Sequence, residues 1–292
     1  MLFIDYQLFI YYIYSIKMIQ DYQTNTVYLA QGLRHYMPMY KNLIDALDAQ
    51  GIEYRFLPKT ESKKHVWVRD FMPIQIDKDK FLRYKYHPDY LCDFEDYIPD
   101  YLAIDKELNI KCKQTKLILD GGNVVKCGEK VIMTDKIFKE NFRHDKRSLV
   151  NKLENLMQDE IVFIPWDEYE MFGHADGMVR YIKDNKVLIN NYFDLDPGFY
   201  LRLKDALIGH FEIEDLRYST PRCSNSSWAY LNFLQTKTCI FVPGLGIKED
   251  QLAVQQIQAA YPNHKIVQID GCQNLVLDGG ALNCVSWNIL TC

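Results

Sequence analysis

Leu275-Val-Leu-Asp-Gly-Gly-Ala-Leu-Asn-Cys-Val285 is a short apolar run, an Asp-Gly-Gly corner and a second apolar run that closes on Cys284. The same shape occurs upstream as Leu117-Ile-Leu-Asp-Gly-Gly-Asn-Val-Val-Lys-Cys127. Such a recurrence points to a chain built from similar supersecondary units. Its local reading is a strand that stops at a turn, where glycine permits positive φ or close backbone approach, followed by a second strand. That places Asp120, Asp278 and Cys284 at or near strand ends, from which a scaffold can present side chains to a shared cavity. Alone, Cys284 reads as a small buried hydrophobe. Its company carries the case for more.

Working outward, Thr26 to Ala30 predicts a strand, and Met37 to Gln50 a helix with Leu43, Ile44 and Leu47 on its apolar side, ending at Gly51. Ile52 to Leu57 predicts a second strand. His65-Val-Trp-Val-Arg-Asp-Phe-Met-Pro73 reads as a strand edge with an Arg69–Asp70 surface ion pair, broken at Pro73. Phe81 to Lys113 reads as an irregular or partly helical insertion. Strands follow at Lys130 to Thr134, Ile161 to Pro165, Val187 to Asn191, Tyr230 to Phe233, Thr238 to Pro243 and Lys265 to Ile269. Helices alternate with them at Ser148 to Gln158, Tyr200 to Leu207 and Glu249 to Tyr261. Trp166 to Gly177 is a polar loop that delivers His174 and Asp176 between two glycines. The strand-helix-strand rhythm returns about every 55 to 60 residues, which allows roughly five units. No Pro-, Gly- or Ser-rich linker divides them, so an α/β fold in a single domain over residues 18–292 is expected.

With 292 residues, 48% hydrophobic and 25% charged, the chain can bury a large core. A formal charge of −5 and the lack of a Lys/Arg block argue against nucleic acid or an anionic membrane as partner. A small cationic ligand suits this balance better. Cys92, Cys112, Cys127, Cys223, Cys239, Cys272, Cys284 and Cys292 form no C-x-x-C pair and no zinc spacing, which points to a reducing, cytoplasmic setting. Residues 1–17 are apolar and Tyr-rich but carry Asp5 and lack a basic leading region. They read as an N-terminal extension or a misassigned start before Met18, and neither as a signal peptide nor as a membrane span. Oligomeric state is open, a homo-oligomer being compatible with the sequence.

Cys284, His174, Asp176, Asp120 and Asp70 form the candidate reactive set. A cysteine nucleophile works as thiolate, and a histidine can give a proton to a leaving group and then take one from water. Carboxylates crowded around a Cys/His pair oppose thiolate formation. They make sense when the substrate is itself a cation, because a guanidinium offers a planar fork of donors to two carboxylates.

Trp67-Val-Arg-Asp-Phe-Met-Pro73, Leu119-Asp-Gly-Gly-Asn123, Gly173-His-Ala-Asp-Gly177, Ala229-Tyr-Leu-Asn-Phe233 and Leu277-Asp-Gly-Gly-Ala-Leu-Asn-Cys284 occur in the order seen in agmatine deiminases and the Porphyromonas-type peptidyl-arginine deiminase family. The chain resembles these guanidine-modifying enzymes from about Trp67 to Asn288. The resemblance implies the pentein fold, a five-bladed pseudo-symmetric α/β propeller. It also implies that Cys284 attacks the guanidinium carbon and that His174 protonates the departing ammonia. His174 would then activate the water that hydrolyses a covalent thiouronium intermediate. By the same resemblance Asp70 and Asp176 hold the guanidinium, Asp120 orients His174 where the family usually has Glu, Asn232 and Trp67 line the substrate site, and no metal or organic cofactor takes part. Three departures stand out: Asn283 where agmatine deiminases usually carry His, Met72 where the first motif usually has Gly, and Val285-Ser-Trp-Asn288 after the cysteine.

The leading expectation is hydrolysis of agmatine to N-carbamoylputrescine and ammonia, a step of polyamine biosynthesis. Deimination of free or peptidyl arginine, amidino transfer to an amine and a non-catalytic guanidinium-binding pentein are the competing readings, with chance motifs in a structural α/β protein the blandest. Trp166, Trp228 and Arg69 are further candidates for the substrate tail or for packing.

Overall fold

The structure is a computed structural model that describes residues 18–168, 172–217 and 227–291. The segment 1–17, expected to stand apart, lies outside them. One pattern is used five times: an antiparallel pair, a helical crossover, and a third strand parallel to the middle one. The crossover is what a parallel neighbour requires, since a tight turn can join only antiparallel strands. In the first unit Thr26–Ala30 (β1) leads through a helix at Met39–Ala49 to Glu53–Leu57 (β2). Ile74–Asp77 (β3), Lys80–Lys85 (β4) and Cys112–Ile118 (β5) form the second, with a helix at Tyr101–Glu107. Val125–Cys127 (β6), Lys130–Thr134 (β7) and Glu160–Ile164 (β8) form the third, with its longer helix at Lys146–Met157. The fourth comprises Val179–Lys183 (β9), Lys186–Ile189 (β10) and Glu212–Asp215 (β11), crossed by a helix at Pro197–Leu207. Leu234–Gln235 (β12), Cys239–Pro243 (β13) and Lys265–Ile269 (β14) make the fifth, with a helix at Glu249–Ala260. Finally Ser286–Ile289 (β15) pairs antiparallel with β1 and completes the first sheet. The two ends of the described chain thus close one ring of five sheets, the α/β propeller that the family resemblance implies and the number of units that the repeat allows.

Burial runs in the same order within the sheets. The leading strands β15 and β12 and the middle strands β1 and β13 are buried throughout, whereas the third strands β2, β5, β11 and β14 are largely half-buried or exposed. Strands covered on both faces read as continuous apolar runs. The helices obey their own period: Met39, Leu43 and Leu47 are buried on one side, as are Leu149, Leu153 and Leu156. Asp145 caps its helix by accepting from the Ser148 N–H at 3.0 Å, and Asp196 accepts from Phe199 at 2.9 Å beside Pro197. No described helix is long and apolar enough to cross a membrane.

Four local expectations are corrected. The first Asp-Gly-Gly unit does join two strands, but Leu275 to Leu277 ends a short helix, Gln273–Leu277, and a three-residue apolar run carries no period that separates the two. Val68–Phe71 is a buried helical turn rather than a strand edge, so Arg69 and Asp70 form no surface ion pair. The stretch read as an insertion contains β4, whose Leu82, Arg83 and Tyr84 are buried. Ser227–Tyr230 is a 3₁₀ turn, and pairing starts only at Leu234.

Trp287 joins the closing strand to the second unit: its indole N–H donates to the Pro73 carbonyl at 2.8 Å, and its ring lies 5.1 Å from Tyr28 and 5.9 Å from Phe81. Trp287→Ala is expected to destabilise the fold by about 3–5 kcal/mol in denaturant unfolding. A loss under about 1 kcal/mol would show that the closure does not depend on this side chain.

Candidate active site

Each unit contributes a corner just upstream of its leading strand. Asp70 lies in the turn before β3, Asp120 before β6, His174 and Asp176 before β9, Asn232 before β12, and Cys284 before β15. Residues scattered along the chain are therefore brought together by repetition of one placement.

The glycines explain how closely the corners meet. A Cβ on Gly121 would lie 1.9 Å from the Arg69 carbonyl oxygen, and one on Gly122 would lie 2.6 Å from His174 Nδ1 and 2.8 Å from Asp70 Oδ1. With no side chain there, the Gly122 N–H donates to Asp70 Oδ1 at 3.1 Å. The Tyr84 hydroxyl donates to the Asp70 and Met72 carbonyls from below. Arg69 binds the closing segment: its backbone N–H donates to the Cys284 carbonyl at 3.0 Å, its Nε to the Asn283 carbonyl at 3.3 Å, and its Nη2 to Asn288 Oδ1. It is a buried strut between units, not a contact for a substrate tail. Asn232 plays a comparable part, since its side-chain oxygen accepts from the Cys284 N–H at 3.2 Å and its carbonyl from the Asn283 N–H at 2.9 Å.

His174 stands between two carboxylates. Its Nε2 lies 2.9 Å from Asp120 Oδ2 and its Nδ1 3.6 Å from Asp70 Oδ1, with all three side chains buried. Aspartate in place of the longer glutamate therefore still reaches the ring. Asp176 Oδ2 accepts from Asn283 Nδ2 at 2.6 Å and lies 4.0 Å from the Cys284 sulfur. Burial opposes the imidazolium, but Asp70, the hydrogen bond and charge of Asp120, and Asp176 outweigh it and raise the His174 pKa to about 10. Burial is the main force raising Asp70 to about 7, reinforced by Asp120 and Asp176 and opposed by His174 and the Gly122 amide. Burial, then Asp176 and Asp70, push the Cys284 thiol well above its ordinary value. The cluster thus holds one protonated histidine, a neutral thiol and a surplus of carboxylate, an arrangement that favours a cation.

A cavity of about 120 Å³ opens on this cluster, lined by Trp67, Asp70, Tyr86, Tyr90, Leu91, Tyr97, Phe172, His174, Asp278, Gly279 and Cys284. Trp67 lies on its wall, packed against Gly280, where a Cβ would lie 2.0 Å from the indole. Trp166, Trp228 and Asn232 are not on the lining. Sequence reasoning missed the aromatic wall. Tyr90 donates to Asp120 Oδ2 at 3.3 Å, and burial keeps its phenol protonated. Its signal was the tyrosine run Tyr84, Tyr86, Tyr90, which continues a strand read as an insertion. Of the departures, Met72 is packed in the core and is not on the cavity lining, whereas Asn283 is bonded to Asp176. Among the described residues no three His, Cys, Asp or Glu side chains are grouped to hold a metal ion.

Residues 11–289 match the family of Porphyromonas-type peptidyl-arginine deiminases. A putative agmatine deiminase of Mycoplasma capricolum is 25% identical over 216 residues, covering 61% of this chain and 59% of the relative. The agmatine deiminase of Pseudomonas aeruginosa strain LESB58 is 23% identical over 221 residues, covering 63% and 60%. The chain thus spans about three fifths of the length of the curated relatives it matches. The fold is shared more widely. A substrate-bound variant of the C. jejuni agmatine deiminase superposes with a TM-score of 0.75 at 18% identity, covering 94% of this chain and 96% of that one. The putative arginine deiminase of Porphyromonas gingivalis gives 0.73 at 15% identity, covering 93% and 97%.

In imidazole NMR titrations His174 is expected to remain protonated through neutral pH and to lose its proton near about 10, because both flanking carboxylates favour the charged ring. Asp120→Asn should lower that value by more than one unit, and an unshifted wild-type titration near 6.5 would contradict the charge balance.

Proposed function

The chain belongs to the Porphyromonas-type peptidyl-arginine deiminase family, and on that premise we propose that it is a hydrolase that deiminates a small guanidine, agmatine to N-carbamoylputrescine and ammonia. The observation that carries this reading is the charge inventory of the cavity. Cys284, His174 and Asp70 line it, Asp120 is bonded to His174 and Asp176 lies 4.0 Å from the Cys284 sulfur, and one imidazolium leaves this cluster short of positive charge. A guanidinium supplies the missing cation and presents its carbon to the sulfur. The wall supports a small substrate over a peptide: a dry cavity of about 150 Å³ holds benzene, so about 120 Å³ suits a planar guanidinium on a slender tail.

Each step assigns a task to one of these residues. Asp70 and Asp176 take the guanidinium nitrogens, and the bound cation offsets the two carboxylates that hold the Cys284 proton on. As the cation binds, the Cys284 proton passes to solvent, and the thiolate adds to the guanidinium carbon. The His174 imidazolium gives a proton to one nitrogen, which leaves as ammonia, and the carbon remains bound to sulfur as a thiouronium. Neutral His174 then takes one proton from water as its oxygen attacks, and the C–S bond breaks as the remaining hydroxyl proton passes to the departing sulfur, which releases the neutral ureido product and restores the thiol. Asp120 and Tyr90 hold the ring in position throughout. The active unit is residues 18–292 acting as one domain, in a reducing compartment such as the cytoplasm. The free state of Cys92, Cys112, Cys127, Cys239, Cys272 and Cys284 supports that setting.

Ammonia and ureido product are expected from agmatine in a panel with free arginine, an arginine peptide and methylated arginine, and Cys284→Ala should abolish both. Turnover retained by that variant would remove the covalent mechanism. The profile of kcat/KM against pH should fall below about 7, where Asp70 gains a proton and no longer attracts the cation, and again above about 10, where His174 has lost the proton it must donate. A profile flat from pH 6 to 8 would contradict the role of Asp70.

A further inference from the structure

Two carboxylates line the cavity among the described residues, and they differ in setting. Asp70 is buried against His174, whereas the Asp278 side chain is 41% exposed, at the mouth. Asp278 ends the helix Gln273–Leu277, and its position is set by Gly279, whose φ is +100° and whose Cβ would lie 2.5 Å from the Phe172 ring. The Tyr36 hydroxyl donates to Asp278 Oδ2 at 2.8 Å, and Lys63 Nζ pairs with the same oxygen at 2.6 Å. Among the described residues nothing donates to Oδ1. Burial raises the Asp278 pKa, but Lys63 and Tyr36 together bring it below the usual carboxylate range, so the group is an anion. Lys63 is 54% exposed, with its ammonium 4.8 Å from the centre of the Tyr36 ring.

On the reading of a small guanidine as substrate, we infer that Asp278 is the anchor for the far end of that molecule, an ammonium on a short aliphatic tail, and that Lys63 is the internal cation the ammonium displaces. Lys63 already shows that the mouth accepts an ammonium between a carboxylate and an aromatic face. A solvent-exposed Lys–Asp pair contributes little net stability, so exchanging one ammonium for another is inexpensive. The inner carboxylates then read the guanidinium and the outer one reads the tail. A guanidine with a neutral tail forfeits the second contact.

The test compares agmatine with n-butylguanidine, which keeps the chain and lacks the ammonium, in the wild type, Asp278→Asn, Asp278→Glu and Lys63→Met. The wild type should prefer agmatine, and Asp278→Asn should reduce the ratio of kcat/KM for the two by about 10-fold or more, through KM rather than kcat. Asp278→Glu should restore part of the preference, and Lys63→Met should lower the KM for agmatine. An unchanged ratio in Asp278→Asn, or equal losses on both compounds, would overturn the anchor, and a raised KM in Lys63→Met would overturn the exchange. Wild type inert toward both guanidines would count against the deimination itself. Calorimetric titration with agmatine would still read the anchor, sustained by about 10-fold weaker binding to Asp278→Asn and refuted by equal binding.

Discussion

A buried imidazolium between two carboxylates sets the terms for everything around it. His174 has Asp120 on one nitrogen and Asp70 facing the other, in a cluster from which water is largely excluded. Burying such charges costs several kcal/mol per ion unless partners compensate. One imidazolium cannot compensate Asp70, Asp120 and Asp176 together. Burial, reinforced by this uncompensated charge, raises the Asp70 pKa to about 7 and makes the thiol resist ionisation. The free site is therefore electrostatically incomplete, and a cation of the right shape completes it.

The scaffold tolerates this because the cost is spread over five units. Each corner is attached to its own sheet, and the sheets are held by two extended apolar clusters, so no single element bears the whole strain of crowding the charges together. Contacts between corners run mainly through backbone: Arg69 N–H to Cys284, Gly122 N–H to Asp70, Asn283 N–H to Asn232. A backbone donor has little freedom to relax away, which is what preorganisation of a charged site requires. The antiparallel pairing of β15 with β1 then fixes Cys284 relative to the rest, because the cysteine lies immediately before the strand that closes the ring.

Much of this was legible in the residues, and what was not has identifiable causes. The repeat rhythm survived because buried middle strands and amphipathic helices announce themselves by composition and period, and Lys265–Ile269 and Glu249–Ala260 follow the sequence closely. Asp70, Asp120, His174, Asp176 and Cys284 were legible because glycine corners and the family motifs mark them. Two kinds of feature were hidden. Runs of three or four residues, such as Leu275 to Leu277 or Val68–Phe71, have no measurable period, and their conformation is set by partners distant in the chain. Side-chain duty was hidden for a related reason. Nothing local to Arg69 says whether its guanidinium reaches for a substrate or for the carbonyl of Asn283, and nothing local to Tyr90 says that it faces Asp120.

The neutral Cys284 thiol bears on selectivity as well as on rate. A cysteine that is permanently ionised reacts with any electrophile or oxidant that reaches it, because the thiolate is the reactive form. Here burial, Asp176 and Asp70 keep Cys284 protonated until positive charge arrives among the carboxylates. On the proposed deimination, the group that raises the concentration of thiolate is also the group that the thiolate attacks. An anionic or neutral ligand of similar size leaves the thiol protonated and gains nothing from Asp70 or Asp176. On the same proposal, discrimination comes from the carboxylates that would otherwise be a liability beside a nucleophile, and the charge surplus around His174 is the recognition element.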